Sequence, residues 1–414
     1  MPALRLHEGN HIMNPTYQAI QRRAKALEKD ITRFLADLVR TPSFSSKEKQ
    51  VIAVIKKEMK KVGFDAVRVD GLGNIIGRIG KGPRVMAFDA HIDTVYAGER
   101  EQWSFDPFKP RIKDGKIWGR GTVDQKGGMA SMVYAAKIIK ELGFNDQFTL
   151  YFTGTVMEED CDGLCWQYLL KEEKLKPEFV VITEPTNLNI YRGHRGRMEI
   201  RVEVKGRSCH GSAPERGDNA IYKIARIALE VEKLNRRLRN DPFLGKGTVT
   251  VTDVRSASPS LCAVADGAGI HLDRRLTFGE TKQSALAEVR DAAKRAGYPD
   301  AKVFVLNYSE AAYTGKVYPT EKYYPTWVLP ENSPYLKNAV DAYAGVLGKP
   351  PRVDKWTFST NGVAICGMHG IPCLGLGPGN EVYAHAPNEA CPVEHLSAAA
   401  AFYAALVARM NGKV

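Results

Sequence analysis

The chain predicts an α/β protein whose mostly parallel sheet is interrupted by an inserted α+β module. Three observations carry that prediction. Up to Thr183, short apolar runs alternate with stretches of helical periodicity, the pattern of strand–helix units. Between Tyr191 and Glu310 the strands instead alternate polar and apolar residues, as a sheet with one wet face requires. After a Pro/Tyr-rich segment at 318–330 the first texture resumes. Residues 1–190 and 311–414 therefore read as one unit, with 191–310 inserted into it.

Apolar residues recur at helical spacing over 17–39 and 46–62. Strands are expected at 66–69, 74–78 and 85–90, and a helix over 129–142 follows the pair Gly127-Gly128. Two further core strands read at 148–156 and 179–183. The inserted part runs strand 197–204, helix 219–238, strands 248–254 and 269–276, helix 282–296 and strand 302–306. That βαββαβ order makes a small α+β sandwich. Helices at 334–347 and 361–368, a strand at 372–376 and a helix at 392–410 complete the chain. The apolar stretch of that last helix, 396–410, is Ala-rich and too short to span a bilayer, so it is read as a buried helix.

The net charge is +12 over 414 residues. Residues 191–310 carry 22 Lys+Arg against 15 Asp+Glu, so much of the excess lies in the insertion. No aromatic-interleaved basic stripe accompanies it, which argues against nucleic acid and for a solvated basic surface that can also steer anionic substrates. The seven cysteines are scattered without a C-x-x-C pair, against both a disulfide framework and a zinc ribbon. Reduced thiols in a cytoplasm fit that usage. Positions 1–14 hold His, Glu and Asn where a secretory leader needs an apolar core. No membrane association is expected.

Open parallel sheets bind ligands beyond the carboxyl ends of their strands. Those positions hold His91-Ile92-Asp93 after 85–90, Glu158 and Glu159 after 148–156, Glu184 after 179–183, and His385 in the loop after 372–376. Asp124 closes Gly119-Arg120-Gly121-Thr122-Val123-Asp124, just before a helix start. Each has an ordinary explanation: a strand-end histidine, a helix cap at Asp124, a solvated acidic loop, a turn at Glu184-Pro185. Five such coincidences on one sheet edge are improbable, and a mixed imidazole and carboxylate set suits zinc or a similar divalent ion.

His91-Ile92-Asp93-Thr94-Val95, the glycine segment through Asp124-Gln125-Lys126-Gly127-Gly128, Glu158-Glu159-Asp160 and Thr183-Glu184-Pro185-Thr186 resemble the di-zinc hydrolases of the aminoacylase, acetylornithine deacetylase and succinyl-diaminopimelate desuccinylase family. The likeness runs in order from near Tyr17 to the C-terminus. Within that family it is nearest the bacterial hydrolases described as linked to selenium metabolism. The resemblance implies a zinc-exopeptidase-like catalytic layer with a ferredoxin-like lid and dimerisation domain. It also implies two divalent ions, zinc first, with cobalt or manganese as substitutes. Asp124 would bridge them, His91 and Glu184 completing one shell and Glu159 and His385 the other. Asp93 would orient the His91 ring, and Glu158 would be the general base. The substrate would be a small carboxylate-bearing amide, either an N-acyl amino acid or a peptide.

In the insertion, Ser208-Cys209-His210-Gly211-Ser212-Ala213-Pro214 and Gly217-Asp218-Asn219-Ala220 resemble the family's lid motif. His210 would stabilise the oxyanion, in the family often across a homodimer. Arg275 in Asp273-Arg274-Arg275 would hold the substrate carboxylate, with a salt bridge to Asp273 as the competing account. Asn361 in Ser359-Thr360-Asn361-Gly362, and Gly377 and Gly379 in the following glycine loop, resemble loops that offer backbone N–H groups to that carboxylate; ordinary turn chemistry competes equally. The chain departs from the family at Cys262, where an asparagine is usual, which puts typical deacylation in doubt.

Other chemistries fit less well. Cys209 and His210 are neighbours on a strand and face opposite sides, so they make a poor nucleophile–base couple. A G-x-S-x-G elbow is absent, and Gly71-Leu72-Gly73-Asn74-Ile75-Ile76-Gly77 has the wrong spacing for a dinucleotide loop. An N-carbamoyl amino acid hydrolase and a catalytically silent metal-binding scaffold remain the alternatives. The retained Glu158 counts against the second.

Overall fold

The computed structural model describes residues 14–414. The reading of positions 1–14 as lacking a leader therefore falls on residues 1–13, outside the described ones, apart from Asn14. The main sheet has eight strands in the order Ala66–Val69, Ile75–Ile79, Phe148–Thr155, Arg84–His91, Phe179–Ile182, Cys373–Gly375, Ile190–Tyr191, Val353–Asp354. Arg84–His91 runs parallel to both neighbours, and Cys373–Gly375 runs parallel to Phe179–Ile182. Four of the seven strand pairings are parallel, and antiparallel pairings flank that four-stranded centre on both sides. At one edge the cause is local. Asp70 accepts N–H bonds from Leu72, Gly73 and Asn74, closing a tight turn that only an antiparallel pair can use.

The central strand Arg84–His91 is buried on both faces from Met86 onward, so its polar residues need internal partners. Asp89 finds them in Thr153, Thr155 and Asn361. Helices Pro15–Val39, Lys126–Glu141 and Val393–Met410 pack together, and Pro334–Leu347 packs on the last. The small side chains Ala399, Ala400, Ala404, Ala405 and Ala408 are fully buried, so this helix is covered nearly all round, as its composition predicts. Among the described residues, no helix is long and apolar enough to cross a membrane.

A second core lies in the inserted part. Strands Thr248–Ala257, Gly267–Leu276, Gly196–Lys205 and Lys302–Val305 form an antiparallel sheet in that order. Met198, Ile200, Val202, Ile270 and Leu272 point into that core, which helices Ala220–Arg237 and Lys282–Arg295 share. The Pro/Tyr-rich segment was expected as a mere connection, but its Tyr323–Tyr324 adds a fifth strand against Arg197 and Met198. Helix Leu164–Lys171 was not anticipated, and the expected helix at 361–368 is a π-helix over Val363–Met368.

Candidate metal centre

Parallel pairing decides where the chemistry collects. His91 sits opposite Thr155, and Asp89 opposite Ile182, so three adjacent strands end at one level. His91, the Glu158-Glu159 turn and Glu184 therefore share one rim. The loop ending in Asp124 reaches the same point. The Nε2 atom of His91 lies 2.9 Å from Asp124 Oδ1, 3.5 Å from Glu184 Oε1 and 3.8 Å from Glu158 Oε2. His385 approaches from the other side, its Nε2 atom 2.8 Å from Glu159 Oε2 and 3.3 Å from Asp124 Oδ2. Asp124 thus turns one carboxylate oxygen to each imidazole. The peptide between Asp124 and Gln125 is cis, and His385 has a φ of 59°.

Asp93 meets the His91 ring through its main chain rather than its carboxylate. The ring Nδ1 of His91 is 2.9 Å from the backbone carbonyl oxygen of Asp93, and 3.6 Å from its carboxylate. The carboxylate accepts bonds from the N–H groups of Glu158 and Glu159 and from the Ser45 hydroxyl. Asp93 therefore fixes the ring through its main chain and the acidic turn through its side chain. Met157, at a φ of 60°, enters that turn with its N–H bonded to Glu48.

The cluster carries a surplus of negative charge. Among the described residues, no Lys or Arg forms an ion pair with Asp93, Asp124, Glu158, Glu159 or Glu184. Glu158 Oε1 and Glu184 Oε2 are buried without a hydrogen-bond partner. Burial pushes Glu158 and Glu184 well above the usual carboxylate range, and burial with the Asp124 charge raises Glu159 to about 7. Hydrogen bonds to Asp124 and Glu159 lift His385 to about 10. Burial opposes charge on His91, yet Glu184, Glu158 and Asp124 outweigh it and raise that ring as well. Ligand atoms of His91, Asp124 and Glu159, and of His91, Glu158 and Glu184, lie within 4.8 Å of one another. Carboxylates that face imidazoles without a basic partner, two of them with their other oxygen orphaned, fit divalent cations.

The other anticipated residues do not join this cluster by any hydrogen bond or ion pair. His210 is exposed, its Nδ1 accepting from the Ser212 N–H and hydroxyl. Arg275 is held by Asp273, with Nε 2.7 Å from Oδ1 and Nη2 3.0 Å from Oδ2. Cys262 is exposed, its carbonyl accepting the Gly211 N–H. Asn361 is buried: it donates to Asp89 and Thr155 and accepts from Gly163 N–H and the Cys165 thiol. Its side chain belongs to the core beneath the site. The N–H of Gly377 is spent on Thr186 Oγ1, and that of Gly379 points to His395 Nδ1. Gly377 is also closely packed: a Cβ there would sit 2.1 Å from the Thr183 carbonyl oxygen. Sequence reasoning missed Glu389, which is wholly buried against the Asp124 loop. Its only hint is a carboxylate placed directly before the short apolar run Ala390-Cys391-Pro392-Val393 that leads into the terminal helix.

The model of peptidase family M20/M25/M40 matches residues 87–409. The chain belongs to that family. This M20 chain is 56% identical over 393 residues to the uncharacterized protein YgeY of Escherichia coli K12, covering 95% of this chain and 97% of that one. A probable succinyl-diaminopimelate desuccinylase of Staphylococcus epidermidis is 36% identical over 216 residues, 51% of this chain and 53% of the relative. The crystal structure of Bacillus subtilis YXEP, described as a dinuclear metal binding peptidase from the M20 family, superposes with a TM-score of 0.69 at 17% identity. It covers 94% of this chain and 100% of that one, and at that identity it speaks to the fold alone. As a member of M20, the protein is a metallohydrolase acting on amide or peptide bonds.

Proposed function

We propose that this M20 hydrolase cleaves the amide bond of a small carboxylate-bearing substrate, an N-acyl amino acid or a short peptide, at a centre of two divalent ions. The observation that carries the reading is the division of the Asp124 carboxylate between His91 and His385. Asp124 would bridge, with His91 and Glu184 on one side and Glu159 and His385 on the other. Zinc is the first choice for such an N/O set, and cobalt or manganese can replace it. Bound there, the cations would supply Lewis acidity toward water and the scissile carbonyl.

Glu158 would take the proton of the attacking water and return it to the leaving nitrogen. A buried Oε1 without a hydrogen bond is costly to keep for structure alone, which weighs against a silent scaffold. Asp93 would keep Glu158 and Glu159 pointing apart. His210 would stabilise the oxyanion from the lid, in a homodimer from the partner's lid, and Arg275 would exchange Asp273 for the substrate carboxylate. Seven free thiols support a reducing, cytoplasmic setting.

The test is metal analysis combined with turnover of a panel of N-acyl and N-carbamoyl amino acids and dipeptides. Two ions per chain and chelator-sensitive hydrolysis are expected. Turnover that survives complete metal removal overturns the mechanism.

A further inference from the structure

Asp124 stands on a loop, among carboxylates that repel it, and something must hold it there. The glycine segment turns the N–H groups of Gly121, Val123 and Asp124 toward one point, with Gly121 at a φ of 86°. Converging backbone N–H groups of this kind are what proteins use to bind phosphate. Here the anion is part of the chain. Glu389 Oε1 accepts from Val123 N at 2.6 Å and Asp124 N at 3.1 Å, and Oε2 accepts from Gly121 N at 2.9 Å. Arg120 neutralises it, Nη1 to Oε2 at 2.8 Å, and both side chains are buried. The Gly119 N–H bonds to the Glu389 carbonyl. The second arm of Arg120, Nη2, donates to the His385 carbonyl at 3.4 Å. Strand Ala390–Pro392, paired with Lys116–Trp118, delivers Glu389 to this place.

We propose that Glu389 and Arg120 form a positioning pair that sets Asp124 and His385 relative to one another before any cation binds. Glu389 touches no reacting atom. It acts through the main chain of the Asp124 loop, and Arg120 carries the constraint to His385. The inference rests on the reading of Asp124 as the bridging ligand. The cation between Asp124, Glu159 and His385 should depend on the pair most, since His385 is more than half exposed and has little else to hold it.

The variant Glu389→Gln puts an amide NH2 against N–H donors and leaves Arg120 without its anion. Zinc affinity, measured by equilibrium dialysis against a competing chelator, is expected to fall about 10- to 100-fold for one of the two ions, with the melting curve retained. A second measurement needs no variant. In the metal-free wild-type protein, the amides of Gly121, Val123 and Asp124 are expected to exchange hydrogen slowly, because Glu389 already holds them. Unchanged zinc affinity in a folded Glu389→Gln variant, or fast exchange of those three amides without metal, overturns the proposal. Asp124→Asn separates the two ideas: if it still binds both ions, the bridging reading itself fails, whatever Glu389 does.

Discussion

His91 and Asp93 meet through ring and main chain: Nδ1 lies 2.9 Å from the carbonyl oxygen of Asp93. The carboxylate of Asp93 is thereby free to serve the neighbouring turn, where it accepts the N–H groups of both Glu158 and Glu159. Asp93→Asn keeps the carbonyl and loses an acceptor in the turn. We expect kcat to fall about 10- to 100-fold, while the ion held by His91 and Glu184 stays bound. Zinc stoichiometry measured beside kcat checks this, and loss of both ions would return Asp93 to a simple ring-orienting role.

The proposed base, Glu158, has one oxygen within 3.8 Å of His91 and the other buried without a partner. Glu158→Ala removes a proton carrier but no ligand of the proposed cage. Turnover is expected to drop by about 10²- to 10⁴-fold with two ions still bound. An active variant would show that another group moves the proton.

The Asn361 side chain spends its hydrogen bonds inside the core, on Asp89, Thr155, the Gly163 N–H and the Cys165 thiol. Asn361→Ala leaves Asp89 Oδ2 and the Gly163 N–H each without that bond in a buried place, while Asp89 Oδ1 keeps Thr153 and Thr155. The expected cost is about 2–4 kcal/mol in urea unfolding, at the upper end of such losses because one partner is a carboxylate. KM for the variant that remains folded should be unchanged. A raised KM with full stability would restore the substrate role.

His194 gives a pH dependence away from the metal centre. Its Nε2 accepts from Trp327 Nε1 at 2.7 Å and from the Thr360 N–H at 3.1 Å, and its Nδ1 faces the Arg195 carbonyl. A proton on Nε2 would oppose two donors, and burial alone disfavours the charge, so the ring is held down to about 4. The unfolded chain, near 6.5, then binds the extra proton first. The contribution is complete above pH 6.5 and is lost as pH falls from 6.5 toward 4. Between pH 7 and 5 about 2 kcal/mol of stability should go. The check is urea unfolding at both pH values, wild type against His194→Gln; equal slopes would refute it.

Much of this was legible in the chain. The helix over Pro334–Leu347 and the strand over Ala66–Val69 were read to the residue, and other elements within a few positions, because periodicity is a local property. The two-residue strand Tyr323–Tyr324 was hidden, since nothing in so short a run distinguishes pairing from a connection. The antiparallel sides of the main sheet were equally invisible, because apolar runs do not state their direction.

For the centre, the division is similar. The sequence alone determined that His91, Glu158, Glu159 and Glu184 stand within a few residues of strand ends, since each follows its apolar run directly along the chain. Only the tertiary structure decided that Asp124 turns one oxygen to each imidazole, that Asp93 splits its main chain and side chain between two tasks, and that Gly377 and Gly379 have spent their N–H groups internally. It also joined Glu389 to a loop 265 positions earlier. Those outcomes depend on which buried donor finds which acceptor, a choice made by the packing of distant segments, and local pattern carries no record of it.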